Sequence, residues 1–158
     1  RLYYMAVAVT LTIPDICAAA ELDLATTNVK KTHFVAWCEA YLTPQYGQLT
    51  ADDVYHLRGG IIHTGIFGHR DSRFDQPIFT TPSTRGTVHD VVMANMGPDQ
   101  KSAMCLDIEA FVRSMRTAAE DWYAAKRSEP NVQANVARIV REHPNGIDPF
   151  IVGGPVVG

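Results

Sequence analysis

The stretch "LTADDVYHLRGGIIHTG", residues 49–65, sets two adjacent glycines inside an otherwise helical pattern, between the permanent cation Arg58 and the titratable base His63. Thr50 suits an N-cap with Asp53 three residues on, and the acidic pair Asp52 and Asp53 complements the positive end of a helix. Val54, Leu57 and Ile61 share one face and predict its buried side. Two glycines cost this helix on the order of 2 kcal/mol relative to two alanines. Their presence predicts that something comes close there, either another helix, a second copy of the chain, or a ligand.

Outward from this stretch the pattern stays mainly helical. Upstream, residues 2–20 read as a buried first helix with Met5, Val9, Ile13, Ile16 and Ala20 on one stripe and Pro14 forcing a kink or a restart near the middle. Asn28 to Leu42 reads as a second amphipathic helix, with Phe34, Trp37, Cys38 and Tyr41 inward and Pro44 as its stop. Downstream, residues 64–74 read as a charged, Gly-containing loop. "PIFTT" and "TVHDVVMAN" flank "PSTRG" as a hairpin over 77–95, and "AMCL" offers a third extended piece. Asp107 to Arg127 is the most regular helix, with Ile108, Phe111, Val112, Met115, Ala119 and Trp122 on one face. A last helix from Asn131 would put Val132, Val136, Ile139 and Val140 inward and stop at Gly146. Residues 147–158 lack helical periodicity and read as an extended arm or partner-binding strand. The predicted fold class is therefore mainly α, a single-domain helical bundle over 1–158 with a small inserted β-hairpin.

Composition narrows the functional classes. The 158 residues suffice for one hydrophobic core. A formal net charge of -3 carries none of the basic excess that drives non-specific duplex binding. The three cysteines, Cys17, Cys38 and Cys105, show no metal spacing and read as buried thiols in a reducing compartment. The apolar run Leu2 to Ile13 imitates a secretory signal, but its 12 residues fall short of the roughly 20 that span a bilayer. No membrane partner and a cytoplasmic location are expected. Arg1 in place of an initiator methionine fits a native start further upstream or a trimmed tag.

The chemistry concentrates at the double glycine. His56 and His63 lie seven residues apart, roughly 10.5 Å along a helix axis, too far to share one ion. With no recognisable ligand set around His69, neither metal nor cofactor is expected. Arg58 and His63 lie five apart, and a long Arg can still share a phosphate with an imidazole at the helix end. Arg stabilises charge developing on phosphorus, while His near neutrality serves as general base or acid. The pair is sufficient for metal-free RNA cleavage by the ribose 2′-hydroxyl.

Arg58-Gly-Gly-Ile-Ile-His63, on a helix ending in His-Thr-Gly, resembles the Arg-x4-to-6-His motif of HEPN domains. The resemblance implies an all-helical, often homodimeric domain of the ribonuclease-toxin or defence type, with Arg58 and His63 catalytic. His56, Gly59, Gly60, His69, Arg70 and Arg73 are the candidate substrate-binding residues around them. Arg138 and His143 repeat the spacing at what reads as a solvated helix end. The alternative is a non-catalytic dimerisation or partner-binding protein that uses the Gly59/Gly60 helix face.

Overall fold

In the computed structural model, which describes residues 2–26, 28–82, 86–95 and 100–158, the first apolar stretch forms two helices. These are α1 (Tyr3–Thr10) and α2 (Ile13–Glu21), with Pro14 in the first turn of α2. A proline is tolerated there because the first-turn N–H has no helical partner. The expected stripe holds only at Ile13, which packs against the core, and at the buried Ala20. Val7, Leu11, Pro14, Cys17 and Ala18 are buried, whereas Met5, Val9 and Ile16 are exposed. The segment is apolar on nearly every side, so periodicity alone does not say which side faces the core. Together Tyr3–Glu21 is 19 residues long, enough by length and composition to cross a membrane, with 39% of its most apolar window buried in the fold.

Next come α3 (Lys31–Trp37), a π-turn over Cys38–Leu42 and a 3-10 turn over Thr43–Gln45 that contains Pro44. α4 (Ala51–Thr64) begins at Thr50, as its capping residues predict. Three strands follow: β1 (Gln76–Thr80), β2 (Val91–Ala94) and β3 (Ser102–Asp107). α5 (Ile108–Lys126) starts directly from β3, with Asp107 accepting from the Ala110 N–H at 2.8 Å. After α6 (Pro130–Val136) come four two-residue strands, β4 (Glu142–His143), β5 (Gly146–Ile147), β6 (Ile151–Val152) and β7 (Val156–Val157).

The expectation of a mainly helical bundle is therefore corrected. The described residues are 48% helix and 15% strand in three small sheets, an α/β mix. The hairpin is also paired differently. β3 lies between the other two strands, parallel to β1 with Ile78 opposite Cys105, and antiparallel to β2 with Val92 opposite Met104. Burial explains the order, since Met104, Cys105 and Leu106 are buried in succession while every residue of β2 is exposed. A strand covered on both faces takes the centre, and Pro77 sits on an edge strand, where its missing N–H is tolerated. Part of the expected "PSTRG" turn, Ser83 to Arg85, lies outside the described residues.

The core lies where α1, α2, α3, α4 and α5 meet over β3, around Val7, Leu11, Phe34, Leu42, Val54, Met104, Leu106, Phe111 and Met115. α5 buries Ile108, Phe111, Met115 and Trp122 as expected, Ala119 packs half-buried against the core, and Ala118 is buried beside them. The last helix is shorter than its pattern. Val132 is buried, whereas Ile139 and Val140, expected inward, are exposed beyond the end of α6. Asn135 fixes α6 by donating to the carbonyls of Ala20 and Leu22 at 3.1 and 2.8 Å, which closes the C-terminal end of α2. From there the β-branched chain turns extended. Residues 147–158 double back instead of projecting, with β5 pairing β6 and β4 pairing β7.

One half-buried carboxylate joins the sheet to the approach of α4. Asp90, at φ 54°, accepts from the backbone N–H groups of Gly47, Gln48 and Leu49 at 2.6 to 3.2 Å. Replacing it leaves three backbone donors without their partner. Asp90→Ala is expected to lower the unfolding free energy by about 2 kcal/mol, measured by urea denaturation.

Candidate functional site

The site is built on the C-terminal half of α4. Its N-terminus is fixed by Thr50 Oγ1 accepting from the Asp53 N–H at 3.2 Å and by Asp53 Oδ2 accepting from the Thr50 N–H at 3.0 Å. Val54, Leu57 and Ile61 face the core, which leaves His56, Gly59, Gly60 and His63 along another side. The helix ends in Gly65, whose φ of 70° is the left-handed conformation that L side chains adopt at a cost.

That turn sends the chain back over its own helix. The Ile66 N–H donates to the Gly60 carbonyl at 3.3 Å, and a Cβ at Gly60 would run into the backbone of Gly68 and Ile66. Gly60 is buried beneath this segment, so it offers no surface to a ligand or to a second copy. Gly59 has room: a Cβ there would lie 3.7 Å from the His69 ring, in ordinary contact. The close visitor predicted by the double glycine is residues 66–69 of the same chain.

The loop is pinned further along. Arg73 pairs with the buried Asp53 at 2.8 Å, donates to the Gln48 carbonyl and covers the Phe74 ring at 4.4 Å, while Phe74 itself is buried. Arg73, a candidate for substrate, is thus held by these structural contacts. Arg70 carries a side chain 90% exposed and, among the described residues, pairs with Asp71 at 3.3 Å. Arg70 and His69 also line an open groove of about 530 Å³ with Thr64, Ile66 and Phe67.

Arg58 and His63 do come together. Arg58 Nη1 lies 3.4 Å from His63 Nε2, and Arg58 Nε donates to Asp15 Oδ2 at 2.8 Å. A guanidinium is only a donor, so His63 Nε2 presents its lone pair in this arrangement. Asp15 and Arg58 are about one-quarter exposed, whereas His63 is open to solvent. The sequence does not pair Asp15 with Arg58. It stands 43 positions from Arg58, and nothing in its own surroundings marks it. The second spacing match is not built the same way, for Arg138 lies past the end of α6 and His143 belongs to β4.

His56 and His69 also meet, with Nδ1 atoms 3.2 Å apart. Burial, followed by the charges of Lys31 and His69, holds His56 below its ordinary pKa. The cysteines stay in the core. Burial first, then the charge of Glu21, pushes Cys17 up to about 12, and burial raises Cys38 as well. Neither offers a thiolate nucleophile near neutrality. The chain matches no protein-family model, no curated protein and no solved structure.

The two glycines respond to substitution in opposite directions. Gly59→Ala should stabilise α4 by up to about 1 kcal/mol through helix propensity. Gly60→Ala should destabilise the fold by about 1–3 kcal/mol through overpacking against the returning backbone. Thermal or urea unfolding of the two variants checks both signs.

Proposed function

We propose that the chain is a metal-independent endoribonuclease of the toxin or defence type, acting in the cytoplasm, with Arg58 and His63 as its catalytic pair. The observation that carries this reading is their convergence at the exposed end of α4, with Arg58 anchored from behind by Asp15. The proposal takes the Arg-x4-His motif from the HEPN resemblance, not the all-helical architecture.

The chemistry is an internal transfer. The ribose 2′-hydroxyl attacks the adjacent phosphorus, the 5′-oxygen leaves, and a 2′,3′-cyclic phosphate remains. His63 Nε2, whose lone pair is turned to Arg58 Nη1 in the free chain, would take the 2′-proton once the phosphate draws Arg58 away or, once protonated, supply one to the 5′-oxygen. Arg58 keeps Nη2 available for a non-bridging phosphate oxygen while Asp15 holds its Nε. His69 and Arg70 line a groove that starts at Thr64, next to His63 in the chain, and offer their polar groups to an RNA backbone opposite the carboxylate of Asp75.

A partner-binding reading survives in a changed form. The Gly60 part of that face is covered, but Leu2 at 79% exposure, with Met5 and Val9 beside it, forms an apolar surface on α1. In this reading a homodimer would use α1 and bring two copies of the Arg58/His63 pair into one assembly.

Arg58→Ala and His63→Ala should each lower RNA cleavage by roughly 10²–10⁴-fold with circular dichroism unchanged. Asp15→Asn should give a smaller loss because the cation remains and only its aim is relaxed. Gel assays with end-group analysis of the products check the three variants, and unchanged cleavage in both alanine variants would exclude the pair.

A further inference from the structure

Outside the Arg58/His63 pair, one cluster of metal-ligating groups stands out among the described residues. His56 Nδ1 and His69 Nδ1 face each other at 3.2 Å, Asp71 Oδ2 lies 3.7 Å from His69 Nδ1, and one ligand atom from each residue fits within a 4.8 Å span. The three come from two elements that the fold forces together. His56 is on α4, while His69 and Asp71 belong to the loop that Gly60 draws back over that helix.

We propose that His56, His69 and Asp71 bind one divalent transition-metal ion, of which Zn²⁺ suits the donor set best. Zinc bonds imidazole nitrogen at about 2.0–2.1 Å, so two ligands of one tetrahedral ion stand about 3.3 Å apart. The two Nδ1 atoms already have that separation. Two imidazoles and a carboxylate suit Zn²⁺ and leave its fourth position to solvent. Arg70 Nε donates to Asp71 Oδ1 at 3.3 Å, which leaves Oδ2 on the side of His69. The neighbouring cation Lys31 is paired with Asp52 at 2.7 Å, which moderates its repulsion of an incoming ion.

Without metal, the two imidazoles share a hydrogen, and His69 Nδ1 also accepts from the Asp71 N–H at 3.2 Å. Binding moves the His56 hydrogen from Nδ1 to Nε2, with no change of charge, and the ion replaces the Asp71 N–H at His69. The ion would fasten the loop to α4 beside the Arg58/His63 pair without taking part in it. The site shares His69 and Arg70 with the groove proposed for RNA, but Zn²⁺ uptake reads it whether or not the chain cleaves RNA.

Equilibrium dialysis of the full chain against ZnCl₂, read by atomic absorption, should give one ion per chain, and Zn²⁺ should raise the Tm. Co²⁺ in its place should give the visible absorption of a tetrahedral site. His56→Gln and His69→Gln should each lose stoichiometric binding, the Co²⁺ bands and the Tm increase while keeping the wild-type circular dichroism. Asp71→Asn should weaken binding. The proposal is overturned if the wild-type chain takes up no Zn²⁺ at millimolar concentration, in which case the imidazoles share a hydrogen bond only. It is equally overturned if both glutamine variants bind as the wild type does. Should either variant fail to fold, the Co²⁺ spectrum of the wild-type chain decides: no tetrahedral bands, no site.

Discussion

The close approach of the Ile66–Gly68 backbone to Gly60 is the constraint on which the rest of the site depends. No side chain fits between them, so the loop can leave the left-handed turn at Gly65 and lie directly on α4. From that one contact follow the position of His69 over Gly59 and the packing of Phe67 against Tyr4 and Phe79. The hydroxyl of Tyr4 in turn donates to the Ile61 carbonyl at 3.1 Å, so α1 is tied to the same end of α4. A helix weakened by two glycines is held by what the second glycine admits.

The ion pair between Arg58 and Asp15 joins α4 to α2 in the same region. With both side chains about one-quarter exposed, its value is orientation more than stability, since pairs that water reaches contribute of order 1 kcal/mol or less. It spends one guanidinium edge on Asp15 and directs another toward His63. A freely rotating arginine would lose side-chain entropy on meeting a phosphate, and Asp15 has already removed part of that freedom.

Local signals were legible in the sequence and long-range ones were not. Thr50 with Asp53 fixed the start of α4, and Ile108, Phe111, Met115 and Trp122 fixed the inner face of α5, because capping and periodicity are properties of near neighbours. The buried cysteines were readable for the same reason. The side of α1 that faces inward was not, since a helix apolar on nearly all sides carries no phase. Nor was the centre of the sheet: "AMCL" reads as a minor strand until β1 and β2 are both seen to pair with it. Ile139 and Val140 suit a helix face, but α6 ends at Val136 and the chain pairs with β7 from Glu142 on. At the site, the glycines announced a close contact without saying that the loop supplies it. Asp15 and the meeting of His56 with His69 depend on folding across 43 and 13 positions, which spacing along one helix does not encode.

The central claim is that the end of α4, not another surface, receives RNA. A titration with a non-cleavable 2′-O-methyl oligonucleotide, followed by NMR of the Arg58 Nε–H and His63 ring signals, tests it most directly. The account predicts saturable shifts of both signals, carried along by His69 and Arg70. Shifts confined to α1 or to residues 139–157, with Arg58 and His63 unmoved at saturation, would contradict it.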